Sequence, residues 1–254
     1  MHHKRIGIVI IATNSYFVLG IRFIKRFIHF YKGNSQVTFH FFSDTDPKPY
    51  LSDNINIKFY PTHHKNWVDG TNSKFRNIVS AKKNLLNEDY IFYFDADTNV
   101  NRDFTEDWFV GNLVGGEHYG NRSFEKLPFD RNPKSKAYIP KDTKLDQMYY
   151  YGAFFGGNTT NMMEFCKKLI ANQIADKSWG YEPGVNDESY INNYFHYNPP
   201  DKVVPCDEFQ FLISDKGGIG ETRKTNLDVK EFKRILRENK DKLFDIRDNK
   251  IIIQ

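Results

Sequence analysis

The sequence predicts an α/β fold with a mostly parallel sheet and helices on both of its faces. Apolar runs of strand length alternate with segments of helical period over the first 98 residues, and this alternation is typical of parallel strands connected by helices. No Pro/Ser-rich linker, repeat or low-complexity segment divides the 254 residues, which are enough for one large domain. We therefore expect a single domain over residues 1–254.

The expected elements of the first 98 residues follow from their periodicity. The strand-like runs are rich in β-branched and aromatic residues, whereas the helix-like segments repeat apolar residues three and four positions apart. The expected strands are residues 6–12, 37–42, 55–60 and 90–94, and the expected helices are residues 18–31 and 71–86.

The pattern becomes irregular after residue 98. Residues 101–147 are polar, contain glycine and are rich in Lys, Arg and Asp. Periodic segments return beyond them. The expected helices there are residues 159–174, 187–195 and 228–242, and the expected strands are residues 202–205 and 250–253.

Composition excludes several classes of protein. The net charge of +4 comes from 36 basic and 32 acidic residues, which is too little for a duplex nucleic-acid binder but suits a small anion such as a nucleotide diphosphate. No apolar run reaches the roughly 18 residues of a membrane span, and the apolar run over 6–12 is too short for a signal peptide. We therefore expect a soluble, cytoplasmic protein. Cys166 and Cys206 show neither disulfide nor metal-site spacing.

Two carboxylates follow the fourth expected strand directly. Asp95 and Asp97 are spaced i, i+2 at the end of the run Tyr90 to Phe94, where open α/β sheets bind ligands. Paired carboxylates suit a hard divalent cation that is shared with phosphate. An ordinary acidic turn after a strand is the alternative.

Two further segments have features of a binding site. Residues 149–157 combine aromatic side chains with glycines, which could wall a sugar pocket or could pack as a strand with glycine at bulges. Asp187 and Glu188 stand at the start of an expected helix, where carboxylates also serve as caps.

Taken together, these segments resemble glycosyltransferase family 6, the family of the blood-group A and B transferases and the α1,3-galactosyltransferase. The family's D-V-D motif appears as Asp95-Ala96-Asp97, and its Y-Y-x-G-x-F-F-G-G segment as residues 149–157. Its W-H-D-E-S-x-x-N-x-Y segment appears as residues 185–194, and its R-x-P-x-S-x-A-Y-I-P stretch is matched by residues 132–140. The resemblance covers nearly the whole chain. It implies a GT-A fold with a single Rossmann-like mixed sheet, a nucleotide-binding half over residues 1–98, and an acceptor-binding and catalytic half over residues 99–254.

The resemblance also implies a reaction. A retaining enzyme would move galactose, N-acetylgalactosamine or another hexose from a UDP-sugar to a saccharide or glycolipid acceptor in α1,3 linkage. Asp97, with Asp95, would hold Mn²⁺ or Mg²⁺ against the diphosphate. Many bacterial relatives replace both aspartates with asparagine, so their retention here predicts metal dependence. Glu188 matches the catalytic glutamate, either as a nucleophile or as the stabiliser of an oxocarbenium-like ion, and also faces the acceptor.

Further binding residues are carried over from the family motifs. Tyr16 matches the tyrosine that stacks on uracil, and Lys74 stands in place of an arginine, which keeps the charge but loses the bidentate fork. His118 matches an acceptor-binding histidine after a two-residue shift, and Asn186 replaces the histidine before Asp187. The implied donor-binding set is Ile11, Ala12, Tyr16, Lys74, Asp95, Tyr151, Gly152, Ala153, Asp187, Lys216 and Arg223.

Two other functions fit parts of the sequence. Phe94-Asp95-Ala96-Asp97-Thr98 matches the signature of haloacid-dehalogenase phosphatases, but that signature usually opens its fold, whereas three expected strands precede it here. A non-catalytic nucleotide-sugar or glycan binder is the second alternative, although binding alone does not need Glu188.

Overall fold

The structure is a computed structural model that describes residues 3–119, 126–141, 148–206, 228–247 and 250–254. Seven strands in these ranges form one sheet in the order β3-β2-β1-β4-β6-β5-β7. The pairs β1–β2, β2–β3 and β5–β7 are parallel and the pair β5–β6 is antiparallel, so the sheet is mixed. The strands are β1 Arg5–Ile11, β2 Gln36–Ser43, β3 Ile57–Pro61, β4 Tyr90–Asp95, β5 Leu113–Glu117, β6 Tyr150–Asn158 and β7 Lys202–Val204.

Helices flank this sheet, which confirms the predicted α/β class with a mixed sheet. A second, two-stranded antiparallel sheet is formed by β8 Phe244–Arg247 and β9 Lys250–Ile253. The helices are α1 Tyr16–Phe30, α2 Trp67–Ser80, α3 Lys82–Leu85, α4 Thr159–Lys177, α5 Asn186–Tyr197 and α6 Val229–Glu238, with short 3₁₀ helices at Lys48–Tyr50 and Glu106–Phe109.

The predicted helix over residues 71–86 is wrong in both extent and continuity. It begins earlier, at Trp67, because the side chain of Asn66 accepts a hydrogen bond from the backbone N–H of Asp69 at 2.9 Å and caps the helix. It is also interrupted at Ala81, after which α3 begins. Strands β5 and β8 have no counterpart among the predicted elements.

The chain divides into two compact units. The first consists of Met1–His63, Tyr93–Asp107 and Phe209–Gln254. Its core is aromatic: the ring of Phe27 on α1 meets the rings of Phe39 on β2, Phe94 on β4 and Phe104 edge-on, with ring centroids 5.0–6.2 Å apart. Edge-to-face contacts of this kind add to the free energy gained by burying the rings.

The second unit consists of His64–Phe92 and Trp108–Glu208. Phe165 on α4 lies at its centre and contacts Phe75 on α2, Phe155 on β6 and Phe195 on α5, with centroids 5.2–6.1 Å apart. These contacts pack α2, α4 and α5 around β6, the strand that carries the predicted glycine-rich segment. The predicted single domain, with halves meeting at residue 98, stays a prediction.

The structure also bears on the two cysteines and on membrane-spanning helices. Cys166 and Cys206 are both buried and free. Within the described ranges, no helix combines the length and the hydropathy that crossing a membrane requires.

Candidate active site

Glu188 lies in the first turn of α5, and its carboxylate reaches the backbone of β6. The N–H of Gly152 donates a hydrogen bond of 2.6 Å to Oε2 of Glu188. A Cβ atom at position 152 would lie 3.0 Å from that oxygen and 3.2 Å from the Cβ of Glu188, which is closer than such atoms normally approach. The absence of a side chain at Gly152 therefore makes room for the glutamate.

The surroundings raise the pKa of Glu188 to about 7. Burial is the main cause, and the neighbouring carboxylate of Asp187 adds to it. The Gly152 N–H, the nearby Tyr149 hydroxyl and the charge of Lys74 act in the opposite direction. Glu188 therefore ionises near neutral pH, where a carboxylate nucleophile or stabiliser has to be charged.

A buried ion pair lies beside this glutamate. Nζ of Lys74 on α2 lies 2.6 Å from Oδ2 of Asp187, and both side chains are almost fully buried, at 4% and 6% exposure. The same Nζ donates a 2.9 Å hydrogen bond to the carbonyl of Gly152. Gly152 thus binds Glu188 through its N–H and Lys74 through its C=O. Four residues predicted from three separate segments are brought together: Lys74, Gly152, Asp187 and Glu188.

Asn192 is a member of this cluster that the sequence-based prediction did not include. Its Nδ2 donates to the carbonyls of Tyr150 and Glu188, both at 2.9 Å, and its Oδ1 accepts from the N–H of Tyr150 at 2.8 Å. The side chain therefore connects α5 to β6 one turn beyond Glu188. The sequence signal for Asn192 is its match to the asparagine of the family segment over residues 185–194.

Tyr151, Ala153 and His118 occupy a neighbouring part of the same unit. Tyr151 and Ala153 are two residues apart on β6, so their side chains share one face of the strand. The ring of His118 lies 4.8 Å from that of Tyr151 and 5.5 Å from that of Tyr149. Burial lowers the pKa of His118 to about 4, so the imidazole is neutral at pH 7 and has both a donor and an acceptor nitrogen.

Asn186 begins α5 with a left-handed backbone, at a φ of 44°. Asparagine tolerates this conformation better than most residues with a side chain. The backbone at this position therefore suits the asparagine that stands where the family has histidine.

Asp95 and Asp97 lie at the end of β4 in the first unit, as predicted. The hydroxyl of Tyr93 donates a 2.6 Å hydrogen bond to Oδ1 of Asp95. Asp97 is buried, at 7% exposure, and its carbonyl accepts a 3.3 Å hydrogen bond from Arg22. These contacts hold the segment after β4 in place.

The chemistry of the two carboxylates fits Mn²⁺ or Mg²⁺, which prefer oxygen ligands. No group of three or more His, Cys, Asp and Glu side chains suited to a metal occurs in the part of the chain that the structure describes. The pair would therefore supply part of a coordination shell, and phosphate oxygens and water would supply the rest.

Three predicted donor-binding residues lie at the end of β1 and just beyond it, in the same unit. Ile11 ends β1, and Ala12 is fully buried and held by hydrogen bonds to the Phe42 carbonyl and from the Ser43 hydroxyl. Tyr16 is half-buried and begins α1. The three residues thus lie where a parallel strand passes into a helix, at the carboxyl edge of the sheet. Lys216 and Arg223 lie outside the described residues.

Comparison with known proteins gives one family. The sequence profile described as glycosyltransferase family 6 matches residues 1–215. Globoside alpha-1,3-N-acetylgalactosaminyltransferase 1 of Gallus gallus is 30% identical to this chain over 213 aligned residues, in an alignment that covers 78% of this chain and 60% of that protein. Histo-blood group ABO system transferase 1 of Rattus norvegicus is 27% identical over 216 aligned residues, in an alignment that covers 80% of this chain and 60% of that protein. The matched part thus spans about three fifths of either relative.

A bacterial protein is similar as well. O-antigen biosynthesis glycosyltransferase WbnI of Escherichia coli is 27% identical over 165 residues, which cover 64% of this chain and 69% of that protein.

Proposed function

Since the chain belongs to glycosyltransferase family 6, we propose that it transfers a hexose from a UDP-sugar to a saccharide or glycolipid acceptor. The linkage is α1,3 and the anomeric configuration is retained. The names of the relatives, an α1,3-N-acetylgalactosaminyltransferase among them, support galactose or N-acetylgalactosamine as the transferred sugar.

The observation that supports this proposal most strongly is the placement of Glu188. A carboxylate largely shielded from water, held by a strand N–H and with a pKa raised to about 7, is unusual for a residue that serves structure alone. In the proposed reaction it faces the anomeric carbon of the donor. There it attacks that carbon or stabilises the positive charge that develops on the sugar, and both roles require the ionised form.

The paired aspartates serve the leaving group. Asp97 and Asp95 would hold Mn²⁺ or Mg²⁺, which would neutralise the charge that develops on the UDP diphosphate. Ile11, Ala12 and Tyr16 bind the uracil base, with Tyr16 stacking on it. Lys216 and Arg223 are proposed to contact the diphosphate.

The remaining residues bind the two sugars. Asp187 accepts hydrogen bonds from donor-sugar hydroxyls, and Lys74 holds Asp187 in a charged, fixed orientation. The shared face of Tyr151 and Ala153 shapes the pocket for the group on C2 of the donor. His118, neutral at pH 7 because of its lowered pKa, binds an acceptor hydroxyl.

A UDP-release screen tests the proposal. The protein is incubated with UDP-galactose, UDP-N-acetylgalactosamine, UDP-glucose and UDP-N-acetylglucosamine, each with and without Mn²⁺ and with a panel of galactoside acceptors. We expect release of UDP from a galactose-configured donor that depends on Mn²⁺. Phosphate release from p-nitrophenyl phosphate without turnover of any UDP-sugar would instead favour the phosphatase alternative, and binding of UDP-sugar without turnover would favour the non-catalytic binder.

A further inference from the structure

The C-terminal segment, here residues 228–247 and 250–254, is attached to α1 by buried positive charges. The Nζ of Lys25 donates to the carbonyls of Asn239 and Lys242 at 2.8 and 3.0 Å and lies 5.6 Å from the centre of the buried Phe244 ring. The sequence match to the family ends at residue 215. The contacts of the C-terminal segment therefore belong to a part of the chain for which the family match assigns no role.

Arg22, one turn before Arg26 on α1, contacts this segment and the aspartate motif at the same time. Its Nη1 lies 3.3 Å from Oδ1 of Asp245 on β8, and its Nη2 donates to the backbone carbonyl of Asp97 at 3.3 Å. Its side chain is only 5% exposed. A single buried guanidinium thus joins the C-terminal segment to the backbone of the residue proposed to bind the cation.

The charges around Arg22 give this contact an electrostatic effect in addition to its structural one. The carboxylates of Asp97 and Asp245 both attract the guanidinium, while Arg26 repels it. The negative charge of Asp245 therefore offsets the positive charge of Arg22 and reduces the repulsion that a cation at Asp97 would meet from the guanidinium. In a buried site such charge pairs are weakly screened, so the balance between the two carboxylates affects any further cation that Asp97 binds.

We propose that Arg22 is a positioning residue for Asp97, and that Asp245 holds Arg22 in the orientation that leaves the Asp97 carboxylate available to a divalent cation. The C-terminal segment thereby sets the cation affinity of the aspartate pair. This inference rests on the proposed cation site at Asp95 and Asp97.

The substitution Asp245→Asn isolates the charge. The amide oxygen of asparagine can still accept from Arg22 and from the N–H of Ile246, which lies 2.8 Å from Oδ1 of Asp245. The fold of β8 is therefore kept while the negative charge is lost, so the positive charge of Arg22 is no longer offset and repels a cation at Asp97 more strongly. Arg22→Lys is the companion variant, since lysine keeps the charge but lacks the fork that reaches both partners.

Lys25→Met is the matched control. It removes a buried cation that is attached to the same C-terminal segment. The hydrogen bonds of Lys25 go to Asn239 and Lys242, whereas Arg22 also bonds to the backbone of Asp97. A general loosening of the segment would show in this variant as well.

The experiment measures Mn²⁺ affinity in the presence of UDP, by electron paramagnetic resonance of the free ion, together with the melting temperature of each variant. We expect Asp245→Asn and Arg22→Lys to bind Mn²⁺ roughly three- to tenfold more weakly than the wild type, and Lys25→Met to bind within about twofold of it. Wild-type affinity in Asp245→Asn, or an equal loss in Lys25→Met, would overturn the inference. A wild-type protein that binds no Mn²⁺ with UDP present would instead overturn the proposed cation site itself.

Discussion

At the scale of single residues, Gly152 organises the candidate site because its backbone offers both a donor and an acceptor. Its N–H holds Glu188 and its C=O holds Lys74, which in turn pairs with Asp187. Two acidic side chains and one basic side chain are thereby fixed around one glycine residue. This arrangement makes the ionisation of Glu188 and the integrity of the Lys74–Asp187 pair the two properties most open to test.

The pH dependence of transfer follows from the raised pKa of Glu188. Because this pKa is about 7, the carboxylate is ionised above pH 7 and protonated below it. We expect kcat/KM for transfer to fall about tenfold per pH unit well below pH 7. The measurement is a series of initial rates between about pH 5.5 and 8.5, with recovery of activity after return to pH 8 as the control for unfolding. Constant activity down to pH 5.5 would contradict the role of the ionised glutamate.

The buried ion pair predicts a large loss of stability on removal of its lysine. Lys74→Met leaves the charge of Asp187 buried without its partner, so we expect the free energy of unfolding to fall by about 3–5 kcal/mol. Urea unfolding measures this. The matched control is Lys32→Met, in the exposed pair with Asp103, where the side chains are 50% and 66% exposed and we expect a change within about 1 kcal/mol. Equal losses of unfolding free energy in the two variants would show that the buried pair contributes no more to stability than the exposed pair.

Sequence patterns identified residues of this cluster individually but not their contacts. Glu188, Asp187 and Gly152 stand in recognisable segments, whereas the link from Lys74 to Asp187 spans 113 positions and appears only in the folded chain. Tyr149 belongs to the segment over residues 149–157, but the effect of its hydroxyl on the pKa of Glu188 depends on how β6 and α5 pack.

At the scale of elements, the position of α5 against β6 decides where Glu188 lies. The side chain of Asn192 forms the same pair of hydrogen bonds with Tyr150 that a neighbouring strand would form. It accepts from the N–H and donates to the C=O of that residue. An amide side chain that satisfies a strand residue in this way fixes the register of the helix along the strand.

The substitution Asn192→Ala tests this attachment. It removes three hydrogen bonds and leaves the buried backbone groups of Tyr150 unsatisfied, so we expect the free energy of unfolding to fall by about 2–4 kcal/mol. We also expect kcat to fall more than the donor KM rises, because Glu188 loses its fixed position.

The neighbouring Asn193→Ala is the control for that experiment. It lies on the same helix but donates a single hydrogen bond, to the carbonyl of Tyr138 at 2.8 Å, so we expect a loss of about 1 kcal/mol and unchanged kcat. An Asn192→Ala protein with the stability and kcat of Asn193→Ala would contradict the positioning role.

Elements were predictable from sequence where periodicity is strong and local. The predicted β1, β2 and β4 and the helix α1 lie within two residues of their observed bounds because apolar residues repeat clearly there. Strand β5 was missed because Leu113-Val114-Gly115-Gly116-Glu117 has two glycines, which lower strand propensity, and it is defined by pairing with β6 and β7. The early start of α2 did carry a signal, the spacing of Asn66 and Asp69, whereas the interruption at Ala81 has none.

At the scale of the whole molecule, each compact unit contains one part of the proposed machinery. The first holds the aspartates after β4 and the residues after β1, and the second holds Glu188 with its neighbours. The family itself could be predicted from four ordered motifs and is confirmed by the match over residues 1–215. The attachment of the C-terminal segment could not be predicted from the sequence. A buried lysine or arginine on α1 has no local sequence signature, and its partners lie more than 200 positions away.

Glu188 is proposed to act in the transfer of the sugar and to be unnecessary for the binding of UDP. Glu188→Gln tests it, because the amide oxygen can still accept from the Gly152 N–H while the negative charge is lost. The measurement compares the rate of sugar transfer with the dissociation constant of UDP in the wild type and in this variant. We expect UDP to bind within about twofold of wild type and transfer to slow by at least about a thousandfold, or roughly 4 kcal/mol in the barrier. Transfer at the wild-type rate by Glu188→Gln would contradict the claim.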